Sequence, residues 1–199
     1  MENIKQIVLD ELEKTKFPIN KTRTNVSNGE PVLAFALGCV NYRGQKSLGG
    51  LTRGASQFNR KFPMLLEKLQ GMMQKHDPDF KYTTIQVNKN FSSVPHVDKN
   101  NVGISYVIAM GDFEGGEIFV EGKSHNIDNI FLKFDGTLGH WVSDYKGTRY
   151  SLVFFTHTFK PPNAKTRHLK VTEHGLYNRG VLIKQYSENG VILEESKDV

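Results

Sequence analysis

His96 and Asp98 pose the first chemical question. They stand in the run Pro95-His96-Val97-Asp98. On a strand, residues two apart project to the same side. An imidazole and a carboxylate so placed are two ligands of a 2-His-1-carboxylate set. That set leaves positions open on an Fe(II) for a co-substrate and oxygen. The third ligand must come from a later strand, and His140 follows Asp98 by 42 residues. The plainer reading of the pair alone is a surface His-x-Asp without a metal.

Arg149 follows His140 by nine residues, and Ser151 by two more. On a strand these two share a face, which Val153 and Phe155 continue. Those apolar neighbours point the face inward. A guanidinium there needs an anion, because an unpaired buried charge is costly. Beside a hydroxyl it suits a ligand carboxylate, with bidentate geometry available. The competing arrangement pairs Arg149 with a carboxylate of the protein.

The order His-x-Asp, then His, then Arg-x-Ser is far more specific than its parts. It resembles the catalytic core of the Fe(II)/2-oxoglutarate-dependent dioxygenases, whose fold is a double-stranded β-helix, or jelly roll. The resemblance covers residues 80–158. It implies that His96, Asp98 and His140 hold Fe(II) as the catalytic centre. It also implies that Arg149, with Ser151, binds the far carboxylate of 2-oxoglutarate, and that O2 is consumed. Tyr82 lies on the strand before the triad, where this superfamily often places a polar residue against the near end of 2-oxoglutarate. Thr84 and Asn88 are further candidates there. Gly115-Gly116-Glu117 resembles an element common between the two ligand strands.

Within the superfamily, His96-Val97-Asp98-Lys99-Asn100-Asn101 resembles the ten-eleven-translocation/J-binding-protein (TET/JBP) branch. Members of that branch oxidise the methyl group of 5-methylcytosine or thymine in nucleic acid. The resemblance implies that Asn101 contacts the flipped base. An amide offers both a donor and an acceptor to a pyrimidine edge. Read locally, Asn100-Asn101 could simply make a turn. Larger members carry Cys-rich zinc elements, which a chain with one cysteine cannot build.

The charge pattern fits a polyanion. Residues 31–66 carry Arg43, Lys46, Arg53, Arg60 and Lys61 with no acid, and residues 160–184 are also basic. Between them, residues 96–145 are acidic. Basic segments flanking a functional centre suit nucleic acid, with a solvated basic surface as the alternative. Arg53, after Gly49-Gly50, is the residue expected to reach the nucleic-acid backbone.

The positioning elements follow from periodicity. Residues 2–15 read as an amphipathic helix with Ile4, Ile7, Val8 and Leu12 inward, ended by Pro18. Residues 31–41 read as a buried strand and 43–54 as a Gly-rich loop. Residues 55–76 read as a helix interrupted at Pro63. From residue 80, short β-type runs are punctuated by Gly, Asp and Asn. Asn189-Gly190 supplies the turn of a C-terminal hairpin. The expected fold class is α+β: a jelly-roll core with N-terminal helices packed on it and a C-terminal hairpin. A single dioxygenase domain is expected over 1–199. It divides into N-terminal helices, strand and basic loop (1–78), catalytic core (79–160) and basic extension (161–199).

No run of 18 apolar residues occurs, so no membrane span is expected. The N-terminus lacks a secretory pattern. The single cysteine, Cys39, reads as inert core and excludes an intramolecular disulfide. A monomer in the cytoplasm or nucleus is expected. His76, His125, His168 and His174 read as exposed. His157 shares strand parity with Arg149, and Trp141 reads as core. The expected activity is oxidation of the methyl of a 5-methylpyrimidine in DNA, either 5-methylcytosine or thymine, to hydroxymethyl and further. The alternatives are a hydroxylase of a protein side chain (prolyl-type) or of a small molecule, and a non-catalytic jelly-roll binding module.

Overall fold

The computed structural model describes residues 1–21, 23, 26–27, 29–43 and 51–157, the side chains of 41–43 and 51–53 excepted. Helix α1 spans Glu2–Lys14, followed by strands β1 (Ile19–Asn20), β2 (Val32–Arg43) and β3 (Leu51–Ala55). Helices α2 (Phe58–Lys61) and α3 (Pro63–His76) come next. Seven strands complete the order: β4 (Thr84–Lys89), β5 (Asn101–Gly115), β6 (Ile118–Val120), β7 (Lys123–His125), β8 (Leu132–Phe134), β9 (His140–Val142) and β10 (Tyr145–His157). The larger sheet runs β1-β2-β4-β10-β5-β8, with β3 also paired to β2. The smaller runs β7-β6-β9. The strands pair antiparallel throughout both. This is a mixed helix and antiparallel-sheet architecture.

The larger sheet is covered on one face by the helices. Alternate residues Ile85 and Val87 of β4, Ile108 and Met110 of β5, and Leu152 and Phe154 of β10 form this core. They pack with Val8 and Leu12 of α1 and with Leu65, Leu69 and Met72 of α3. The opposite face packs Val107, Ala109 and Val153 with Ile118, Ile127 and Phe134. Sheet residues thus sort by parity, as the pleat requires.

Helix α1 buries a narrower stripe than its sequence implies. Val8 and Leu12 are fully buried, but Ile7 is 41% exposed. Ile7 sits about 100° around the helix from Val8, beyond the stripe that α3 covers. The interruption at Pro63 is real: α2 ends at Lys61 and α3 starts with Pro63 in its first turn. There its fixed φ and missing N–H cost nothing. Residues 51–54, expected within a loop, and Ala55, expected to open a helix, instead pair with β2 as β3, and the helix starts only at Phe58. The C-terminal hairpin lies outside the described residues. No helix among the described residues is long and apolar enough to cross a membrane.

The two packing environments lead to a stability test. Leu69→Ala removes a side chain with no exposure. It should cost about 2–5 kcal/mol in urea unfolding, whereas Ile7→Ala should stay within about 0.5 kcal/mol.

Candidate metal centre

His96 and His140 are brought together by their backbones. Their N–H groups exchange hydrogen bonds with each other's carbonyls, at 3.0 Å from His96 and 2.9 Å from His140. This antiparallel bridge sets His96 beside β9, and the ring centroids lie 4.3 Å apart. Asp98 is held two residues on, where its N–H donates to Gly136 O at 2.9 Å. His96, Asp98 and His140 each offer a ligand atom, all within 4.8 Å of one another. The group is suited to holding a metal ion.

The protonation pattern of the rings fits that use. His96 Nδ1 lies 2.7 Å from Val94 O, and His140 Nδ1 lies 2.8 Å from Leu138 O. A carbonyl can only accept, so each Nδ1 carries the proton. In the neutral ring that leaves the Nε2 lone pair for a metal. Burial pushes the His96 pKa below its ordinary value, which favours that neutral form. His140 Nε2 lies 3.8 Å from Asp98 Oδ2. Asn101, only 8% exposed, donates from Nδ2 to the same Asp98 oxygen at 3.2 Å. Gly136 makes room for this pair: a Cβ there would stand 3.1 Å from Asn101 Nδ2.

A cavity of about 290 Å³ opens beside these ligands. Arg149, Ser151, Val153, Phe155 and His157 of β10 line it, as do Gln86 and Asn88 of β4. Arg149 is 1% exposed. One terminal N–H donates to Gly116 O at 3.0 Å, while Nε has no partner. The guanidinium sits over Phe113 and Tyr145 at 5.4 and 5.5 Å. Among the described residues no carboxylate makes an ion pair with it. Burial lowers its pKa to about 10, so at neutral pH it remains a cation. Gly116, at φ +74°, is what lets the arginine through, since a Cβ would stand 2.8 Å from Arg149 Nε. Asn90 clamps the Arg149 backbone, accepting from its N–H at 2.9 Å and donating to its carbonyl at 2.7 Å.

Ser151 Oγ faces the cavity and accepts from Asn88 Nδ2 at 3.1 Å. Tyr82 is placed elsewhere. Its ring lies in the helix-side core, 5.2 Å from Phe154, and does not line the cavity. It precedes β4, so strand parity does not carry back to it. Thr84 is likewise turned away, donating to Cys39 O at 2.7 Å. Arg53 lies on β3 opposite Asn41, and its side chain is outside the described set. The basic segment 160–184 is outside it too. Trp141 is half-buried on the face of β9 away from His140, stacked on Phe119 at 5.0 Å. Sequence reasoning missed Gln86 and Arg23, which also line the cavity. Gln86 shares the strand parity of Asn88 in the alternating run Thr84-Ile85-Gln86-Val87-Asn88, a signal that could have found it, whereas nothing local marks Arg23.

No family model matches the sequence, and no curated protein does either. Among solved structures, the chain is similar to NgTET1 in complex with 5mC DNA. The TM-score is 0.50 at 14% identity, over 77% of this chain and 68% of that one. The likeness is one of fold: a distant structural relation to a TET-like oxygenase.

The hydrogen bond to Asp98 makes Asn101 measurable through the metal. Asp98→Ala should abolish uptake of Mn(II) in calorimetry. Asn101→Ala should weaken it by roughly 10–100-fold, the usual effect of losing a ligand's supporting partner.

Proposed function

We propose that the protein is an Fe(II)- and 2-oxoglutarate-dependent dioxygenase that oxidises the methyl group of a 5-methylpyrimidine in DNA. The observation carrying this reading is the Arg149 guanidinium. It is buried, without a carboxylate partner among the described residues, and it lines the same cavity as a His-Asp-His group. A structural cation would have a protein partner, whereas a ligand-binding one waits for its anion. The two facing antiparallel sheets are then the halves of a double-stranded β-helix. The fold likeness to NgTET1, solved with 5mC DNA, supports the choice of substrate class.

This reading gives each residue a role. His96, Asp98 and His140 hold Fe(II), with Asn101 fixing the carboxylate. Arg149 takes the far carboxylate of 2-oxoglutarate, and Ser151 is the neighbouring hydroxyl on the same face. Iron with 2-oxoglutarate and oxygen supplies the oxidising chemistry when bound. Val107, Ile118, Ile127 and Phe134 give that chemistry an apolar wall that excludes water. A base must leave its stack to enter such a cavity. Asn101 has an amide at the lining to meet its edge, and Arg53 with the basic segments would meet the phosphates.

Nucleoside mass spectrometry tests the activity. DNA holding both 5-methylcytosine and thymine is incubated aerobically with Fe(II) and 2-oxoglutarate, with His96→Ala as control. A hydroxymethyl or formyl pyrimidine should appear with the wild type alone. Succinate without a modified base would keep the chemistry and move the substrate to a protein or a small molecule. Arg149→Ala should raise the 2-oxoglutarate requirement by roughly two orders of magnitude. It should also lose the rise in melting temperature that 2-oxoglutarate gives the wild type. DNA affinity should fall steeply between low and physiological salt, and a flat response would count against DNA.

A further inference from the structure

Ser105 Oγ is buried without a hydrogen-bond partner, a condition that native structures rarely tolerate without a reason. The residue is 1% exposed and lies on β5, paired with Phe134 of β8. It does not line the cavity. Its surroundings are nonetheless those of the metal-ligating group. A Cβ on Gly136 would stand 3.4 Å from Ser105 Oγ, 3.1 Å from Asn101 Nδ2 and 3.6 Å from Asp98 Oδ2. Three polar side chains thus converge on the bare face of one glycine. Asn101 and Asp98 are bonded to each other, and the Ser105 hydroxyl is left over.

A plain strand would not give this convergence. Asn101 and Ser105 are four residues apart, which in a straight strand separates their Cα atoms by about 14 Å. Between them β5 breaks its register. Tyr106 pairs with Phe154 of β10 and Val102 with Thr156, so Gly103, Ile104 and Ser105 stand opposite Phe155 alone. Gly103 takes φ +68°, and Ile104 is turned outward, 41% exposed. The bulge shortens β5 here and aims two side chains at one place. It disrupts the ladder, and the orphaned hydroxyl has lost its hydration. Both costs fall beside Asp98, the ligand whose carboxylate the backbone does not orient.

Resting on the reading of His96, Asp98 and His140 as a metal group, we propose that Ser105 is a second positioning residue for Asp98, whose hydroxyl finds its partner only when a metal is held. In the metal-free protein Asn101 alone restrains the carboxylate. When a metal draws on Asp98 and turns it, Ser105 donates to the carboxylate across the space that Gly136 leaves open. The hydroxyl then makes a charge-assisted hydrogen bond in place of none. Ser105 therefore contributes to metal affinity and not to metal-free stability. A serine buried for structural reasons does the reverse.

Two measurements on one variant test this: calorimetric titration with Mn(II), and urea unfolding of the metal-free protein. Ser105→Ala should bind Mn(II) roughly tenfold more weakly than the wild type. Its metal-free form should unfold at the same or a higher urea concentration, since only an unpaired hydroxyl is lost. Gly136→Ala fills the space between Ser105 and the carboxylate and should also weaken Mn(II) binding. In that background Ser105→Ala should cost no further affinity, a coupling that independent effects do not show. Unchanged Mn(II) affinity in Ser105→Ala overturns the proposal while the metal group stands. A loss of metal-free stability in that variant, or full additivity of the two substitutions, does the same. A wild type that takes up no Mn(II) overturns the metal group and the proposal together.

Discussion

Strand β10 has to satisfy two environments with one backbone, and much of the structure follows from how it does so. Its even residues Tyr150, Leu152 and Phe154 enter the helix-side core, while Arg149, Ser151, Val153, Phe155 and His157 line the cavity. A slip of one residue would put a guanidinium into a core of leucines and expose three large apolar side chains. The register is therefore pinned on both edges. β10 pairs with β4 from Tyr150 to Phe155 and with β5 along most of its length. Near Arg149 two local devices add to this: the Asn90 clamp and the left-handed Gly116, which leaves room for the side chain. The cost of burying an unpaired cation is met by this paired and packed frame, as for other strained functional groups.

The metal-ligating group depends on backbone pairing in the same way. The spacing of the two imidazoles comes from a bridge between residues 44 apart in sequence, closed by two main-chain hydrogen bonds. Each ring is then turned by its own chain, through a carbonyl two residues upstream. No distant side chain is needed to orient either imidazole. Asp98 differs, because its carboxylate has rotational freedom that the backbone does not remove. There a side-chain partner, Asn101, supplies the restraint. So the contact Asn101 makes within the group is with the Asp98 carboxylate, which it restrains.

The sequence is readable wherever function rides on strand parity within a continuous strand. Arg149 and Ser151 share a face because β10 is regular through them. His-x-Asp works similarly, since both residues are fixed by pairing to the same loop-and-strand region. The interruption at Pro63 and the boundaries of α1 are local chemistry and were equally legible. The misjudged residues lie where local rules stop. Tyr82 precedes the strand that carries Gln86 and Asn88 inward. That strand alternates polar Thr84, Gln86 and Asn88 with apolar Ile85 and Val87, so its cavity side was legible from Gln86 on, but Thr84 and Tyr82 at and before its start turn away from the cavity. Ile7 satisfies the helical pattern, but its exposure is decided by how far α3 extends around α1. Arg23 sits 65 residues before Asn88 in an unpatterned stretch, and only the folded chain brings them together.

The composition of the cavity narrows what it can recognise. Its amides are largely committed to one another: Gln86 and Arg23 donate to Asn88, Asn88 donates to Ser151, and Asn101 donates to Asp98. A sugar-binding pocket works the other way, with amides and carboxylates turned toward neutral hydroxyls. What this cavity offers instead is two guanidinium groups, imidazole lone pairs and an apolar wall. Those groups match an anion, a metal ion and an apolar carbon centre in turn. A methyl group presented beside a metal and a carboxylate ligand fits that set better than a polyol. The same reasoning bears on a purely structural role. Two half- or fully buried cations without ion-pair partners among the described residues destabilise an empty fold, and binding an anion recovers that cost.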